Sequence, residues 1–150
     1  MLKAVLDLFD RSSEDKENPQ YSVELATAAL LSEIIRADNK TDEREKAAYR
    51  DILKRQFTLD QQALDALISE GKETAEEAVD LVNFTKVINQ KCDNEQKKSI
   101  LTSLWELAYA DDNLAPMEEH TIRRIADLLY IPHSQFIKTK LSVSDDDNPI

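Results

Sequence analysis

Six carboxylates in two matching triplets are the residues of this sequence best placed to do chemistry. Glu33, Asp38 and Glu45 lie in and just before the stretch RADNKTDEREKAAY, and Glu106, Asp111 and Glu118 lie in and just before YADDNLAPMEEHTI. Each triplet brackets a short polar gap between two helical runs. At a rise of about 1.5 Å per residue, Glu33 sits roughly 7 Å before Asp38, and Glu45 roughly 4 Å beyond Asp42 on the returning helix. The three carboxylates of each hairpin can therefore converge. Ionised groups held that close repel one another, which raises their pKa values or recruits a cation. All-oxygen ligation selects hard ions, so Ca²⁺ or Mg²⁺ is expected first and Mn²⁺ next.

A second reading of the same residues needs no metal. Glu45 and Glu118 suit helix capping, Asp38 and Asp111 suit turns, and Glu33 and Glu106 suit ion pairs with Arg50 and Arg123. The joint recurrence of all three acids in both places is what favours the metal reading.

Other reactive groups are few. His120, near Glu118 and Glu119, could add a nitrogen ligand but reads as a solvent-facing helix residue, as does His133. Cys92 has no histidine near it in sequence and reads as a buried or idle thiol. Neither acidic gap has the Gly and terminal Glu of an EF-hand loop, and no Glu-x-x-His pair of a di-iron bundle is present. A Gly-rich phosphate loop, a nucleophile elbow and a plausible triad are also missing, so the expectation is a protein that is not an enzyme.

The elements that must position these acids are helical. The chain has 150 residues with 33% charged, 41% hydrophobic, one Gly and four Pro. That composition suits one domain of all-α class. Leu2, Val5, Leu6 and Phe9 form an apolar stripe at helical spacing. This short segment could hook a partner or a membrane, and is expected to dock onto its own domain. Residues 10–20 read as a polar linker, so that 1–20 stand apart from a domain at 21–141, with 142–150 as an acidic flexible tail.

Within 21–141 a broadly apolar helix runs from Tyr21 to about Asp38. Asp42 with Glu45, Thr58 with Gln61, Thr74 with Glu77 and Asp93 with Gln96 each mark a helix start by a capping signature. Gly71 supplies a stop before the helix that Thr74 opens, whose buried stripe is Ala78, Leu81, Val82, Thr85 and Ile88. Pro116 and Pro132 sit at the first turns of the last two helices, the final one ending near Leu141.

Sliding the chain on itself so that Leu31 falls on Leu104 aligns the first three helices of the domain with the last three. In that register Glu33 pairs with Glu106, Asp38 with Asp111, Glu45 with Glu118 and Arg50 with Arg123, each pair identical. Two copies are too few for a solenoid, so the expected form is a compact bundle of about seven helices, with the duplicated acidic helix-hairpin units joined by a crossover helix.

The segments ATAALLSEIIRADNKTDEREKAAYRDIL and LWELAYADDNLAPMEEHTIRRIADLLYIP resemble the paired signature of TerB-like proteins, relatives of tellurite-resistance protein TerB, over roughly Tyr21 to Leu141. The small stand-alone bacterial branch is the most similar. The resemblance implies an all-helical fold of about seven helices and a shared acidic surface proposed to bind divalent metal. It supplies no reaction. Where the family usually has Gly after each Asp, this chain has Asn39 and Asp112, and the left-handed turn there suits Asn better than Asp.

The expected function is a non-enzymatic module binding divalent cations through its acidic hairpins, in stress or tellurite response. The alternative is a metal-free helical interaction domain with an acidic docking face. A protein partner is expected in either case. A net charge of -11 argues against nucleic acid, because phosphate binding depends on Lys and Arg. No apolar run approaches the roughly 20 residues of a membrane span. One cysteine and the lack of a signal-like N-terminal run point to the cytoplasm.

Overall fold

The structure is a computed structural model that describes the backbone of residues 21–38 and 42–147 and the side chains of 21–37 and 42–144. The expected helix over residues 2–9, the linker 10–20, Asn39 and the side chain of Asp38 lie outside the described residues. Among the described residues there are seven α-helices and no strand. They are α1 (Val23–Asp38), α2 (Glu43–Phe57), α3 (Gln61–Glu77), α4 (Val82–Lys91), α5 (Asn94–Ala108), α6 (Pro116–Leu128) and α7 (His133–Asp147).

Helix α1 is the axis of the bundle, touching α2, α3, α4, α5 and α6. Every residue from Ala26 to Leu31 is fully buried, as the wide apolar arc of its sequence requires. Elements that the Leu31/Leu104 register superposes pack alike: α1 lies against α3, and α5 lies against α7. Helix α4 stands between these sets, against α1 and α6.

Several helix ends follow the local chemistry. Asp42 caps α2, its Oδ1 accepting from the Arg44 N–H at 2.7 Å. Asp93 and Gln96 form a full capping box on α5, each side chain bonded to the other's backbone N–H at 2.8 Å. Pro116 occupies the first turn of α6, where no amide hydrogen is needed.

Other expected boundaries move. Thr58 does not open α3; it closes α2 in the left-handed region (φ 50), its N–H reaching the Lys54 carbonyl, and Asp60 caps α3 through the Ala63 N–H. Gly71 is not a stop. It lies buried inside α3, and a Cβ there would fall 2.8 Å from Ala28 Cβ and 2.9 Å from Tyr49 Oη. Thr74 and Glu77 belong to the last turn of α3, so the crossover helix α4 is short. The buried set of this region is Leu81, Phe84, Thr85, Val87 and Ile88, with Val82 outward. The final helix does not end near Leu141; α7 continues to Asp147, with Val143 buried.

Tyr49 locks three helices at the point where Gly71 lets them meet. Its hydroxyl donates to the Ala28 carbonyl at 2.8 Å, and the side chain is almost fully buried. Burial pushes its ionisation well above the usual 10.0, a hydrogen bond with Ser32 opposing this only partly. In the unfolded chain the phenol ionises near its ordinary value, so the stability this neutral group contributes is whole below pH 10.0 and falls as pH rises above it. Urea titrations across that range are expected to show a midpoint that drops at alkaline pH. In Tyr49→Phe the drop should shrink, with a cost at neutral pH of about 1 kcal/mol for the lost hydrogen bond.

Candidate functional site

The start of α2 and the α5–α6 connection meet at one end of the bundle, and Arg44 joins them. From the first turn of α2 its guanidinium pairs with Asp42 at 3.2 Å and reaches Asp112, in the α5–α6 connection, at 3.7 Å. Arg44 holds the Asp42 carboxyl below the usual carboxylate range, first through the side-chain hydrogen bond and then through its backbone N–H. The guanidinium is in turn pushed up, chiefly by Asp42 and further by Asp112 and Asp111. Nothing in the local sequence marked Arg44 as the residue that spans the two hairpins, because its second partner lies in the other half of the chain.

The α5–α6 connection is built by turn chemistry. Asp111 Oδ1 accepts from the Asn113 N–H at 3.1 Å, and Asp112 adopts the left-handed region (φ 61), at the position where the resembled family usually carries Gly. That backbone is uncommon for Asp and less costly for it than for most residues.

Glu45 and Glu118, equivalent in the Leu31/Leu104 register, are both fully buried, each in the first turn of the second hairpin helix. Burial of a carboxylate demands strong polar partners. Glu118 Oε1 accepts from the Ala115 N–H at 2.9 Å, which is the reciprocal half of a capping box. The capping reading therefore accounts for Oε1 of Glu118.

The outer acids are engaged elsewhere. Glu33 pairs with Arg36 at 2.8 Å, and that guanidinium also donates to the Ala75 carbonyl at 2.7 Å, tying α1 to the end of α3. Glu106 pairs with Arg55 across the α2–α5 contact. The expected partners Arg50 and Arg123 are not used: Arg50 pairs with Asp65 on α3 at 2.7 Å, and the Arg123 guanidinium lies 5.5 Å from the Phe136 ring centre. Both arginines face the third helix of their half, and the glutamates lie on the first.

These positions bear on the fit to a divalent ion. Glu106 is held by an arginine, Asp111 by a turn N–H and Glu118 by a capping N–H. Among the described residues no three His, Cys, Asp or Glu side chains gather to hold a metal. Of the first triplet, Glu33 faces Arg36 and Glu45 is enclosed, and the Asp38 side chain lies outside the described residues.

The remaining candidates are unremarkable. His120 is exposed on α6, and His133 is exposed with its ring 5.7 Å from that of Phe136. Cys92 is half-buried, and burial pushes its thiol up, with nearby Asp93 adding to the shift, so it stays protonated near neutrality.

No described helix is long and apolar enough to cross a membrane. No curated protein and no solved structure matches this chain. A family model does match, that of tellurite resistance protein TerB, over residues 24–141. That span begins in the first turn of α1 and ends within α7, reaching all seven described helices and both acidic connections, so the chain belongs to the TerB family.

Proposed function

We propose that this protein is a non-catalytic helical adaptor whose acidic end, where the 42–44 and 109–115 segments meet, docks a basic protein partner in the cytoplasm. The observation that carries this reading is the surplus of acid at that end. Among the described residues there, Asp42, Glu43, Asp111 and Asp112 stand against Arg44 and Lys46, with the side chains of Glu43 and Asp112 89% and 82% exposed. Exposed carboxylates of this kind steer a cationic partner and set its orientation more than its affinity. The family description names tellurite resistance, and on this reading the adaptor serves such a stress response.

The test sets a Lys/Arg-rich helical peptide against divalent cations. The peptide should bind with an affinity that falls as salt rises, and Glu43→Gln with Asp112→Asn should weaken it by about threefold to tenfold. CaCl₂ and MgCl₂ should raise the melting temperature no more than NaCl at matched ionic strength. A divalent-specific rise that disappears in Asp38→Asn with Asp111→Asn would instead make the acids metal ligands. A ligand at 100 times its dissociation constant adds about 2.7 kcal/mol, so such a rise is easily seen.

A further inference from the structure

The α3–α4 connection and α6 form the two walls of an open cleft of about 300 Å³. Met117, His120, Thr121 and Arg124 lie on the α6 wall at i, i+3, i+4 and i+7, Val79 and Asp80 lie on the other, and Glu33 of α1 also lines the space. Val79 is 99% exposed and Met117 57%, and Val82, which opens α4, is 44% exposed. Each wall thus shows one apolar side chain and one fixed charge, Val79 with Asp80 and Met117 with Arg124, and the two charges are of opposite sign. Among the described residues neither Asp80 nor Arg124 takes part in an ion pair. Asp80 Oδ1 accepts from the Val82 N–H at 2.9 Å, a bond that leaves the carboxylate charged.

We propose that this face joins two copies of the chain in an isologous dimer, the 78–81 connection of each copy lying against α6 of the other. In a two-fold contact a patch meets itself, so it must be its own complement. This one is. Val79 of one copy meets Met117 of the second, Asp80 meets Arg124, and the symmetry makes both contacts twice.

Charge selects this occupant. At -11 per chain two copies repel as wholes, so they can approach only through a face without surplus acid. Here Glu33 is balanced by Arg36 at 2.8 Å, and Asp80 by Arg124 of the second copy. A basic partner is drawn instead to the surplus at the 42–44 and 109–115 end, and an acidic one would be opposed by Asp80. A contact built on one cleft and its rims belongs with weak, transient interfaces.

Sedimentation equilibrium on the full chain at about 10 μM to 1 mM, the range of such a contact, tests the proposal. The mean mass should climb from 17.1 kDa toward twice that value. Asp80→Arg alone and Arg124→Asp alone should each weaken association at least about tenfold, because like charges then face each other in both contacts. An equimolar mixture of the two variants should associate again. One brings two arginines to the interface and the other two aspartates, so both contacts are once more of opposite charge. Both positions are exposed, so the bundle is kept, and recovery on mixing could not come from chains that had failed to fold. Val79→Ser with Met117→Ser should loosen the dimer through its apolar half. A mass that stays at 17.1 kDa overturns the proposal. Association that neither charge reversal weakens overturns it too, since another face is then in use, as does a mixture no heavier than its separate components.

Discussion

Trp105→Ala lowers the unfolding free energy by about 3–5 kcal/mol, the range for deleting a buried aromatic and leaving its cavity. Trp105 is fully buried on α5 and is the largest such side chain among the described residues. Its ring lies 5.1 Å from Phe136 and 6.2 Å from Tyr109, and Lys140 Nζ sits 5.7 Å from its centre. Its indole N–H donates to Thr139 Oγ1 at 3.1 Å, so a single residue supplies both the packing and the polar link between α5 and α7. For a chain of this size each kcal/mol moves the melting temperature by roughly 2–4 °C, which puts the expected fall at about 6–20 °C. Tyr130→Ala is the control. With that ring 81% exposed, its effect should stay within about 0.5 kcal/mol. Trp105→Ala melting close to the unaltered protein would show that α7 does not depend on this contact.

Gly71→Ala is destabilising by about 1–3 kcal/mol, as for an extra carbon forced into a filled core. The sign is the informative part. At an exposed helix position the same change stabilises by roughly 0.5–1 kcal/mol, because Ala loses less backbone freedom than Gly on folding. Here the added carbon meets Ala28 Cβ at 2.8 Å, and the Ala28 backbone carbon lies 3.3 Å away, neither of which can swing aside. The third neighbour, Tyr49 Oη at 2.9 Å, can move only by giving up its bond to the Ala28 carbonyl. Chemical denaturation of Gly71→Ala beside Gly71→Ala/Tyr49→Phe separates the two contributions. If the hydroxyl is the obstacle that yields, the double variant costs less than the sum of the single changes. A stabilised Gly71→Ala would mean that α1 and α3 do not approach so closely.

Both substitutions act on contacts within one half of the bundle, α1 with α3 and α5 with α7. The acidic end is a different matter, since Arg44 and the Arg55–Glu106 pair connect residues far apart in the chain. Substitutions at the exposed end should therefore change partner binding with little loss of stability, because surface ion pairs are worth about 0–1 kcal/mol.

What depends on near neighbours is legible along the chain. Apolar residues at helical spacing specified the all-α class and placed α1 at the centre, and the capping signals at Asp42, Asp93 and Pro116 marked starts that the fold keeps. The left-handed turn is present at Asp112 although Asp suits that backbone less well than Gly or Asn. Packing between helices settles the rest. Gly71 reads as a helix stop until Ala28 and Tyr49 are brought against it; then its missing Cβ becomes a packing requirement within a continuous helix. The α7 helix continues past Leu141 because Val143 finds a buried place. The carboxylates show the limit most plainly. Glu33 takes Arg36, three residues along its own helix, whereas the choice of Arg55 for Glu106 and Asp65 for Arg50 follows from which helix faces are packed together. Charge type is written in the chain; a charge partner on another helix is set by packing between elements whose separation no local pattern encodes.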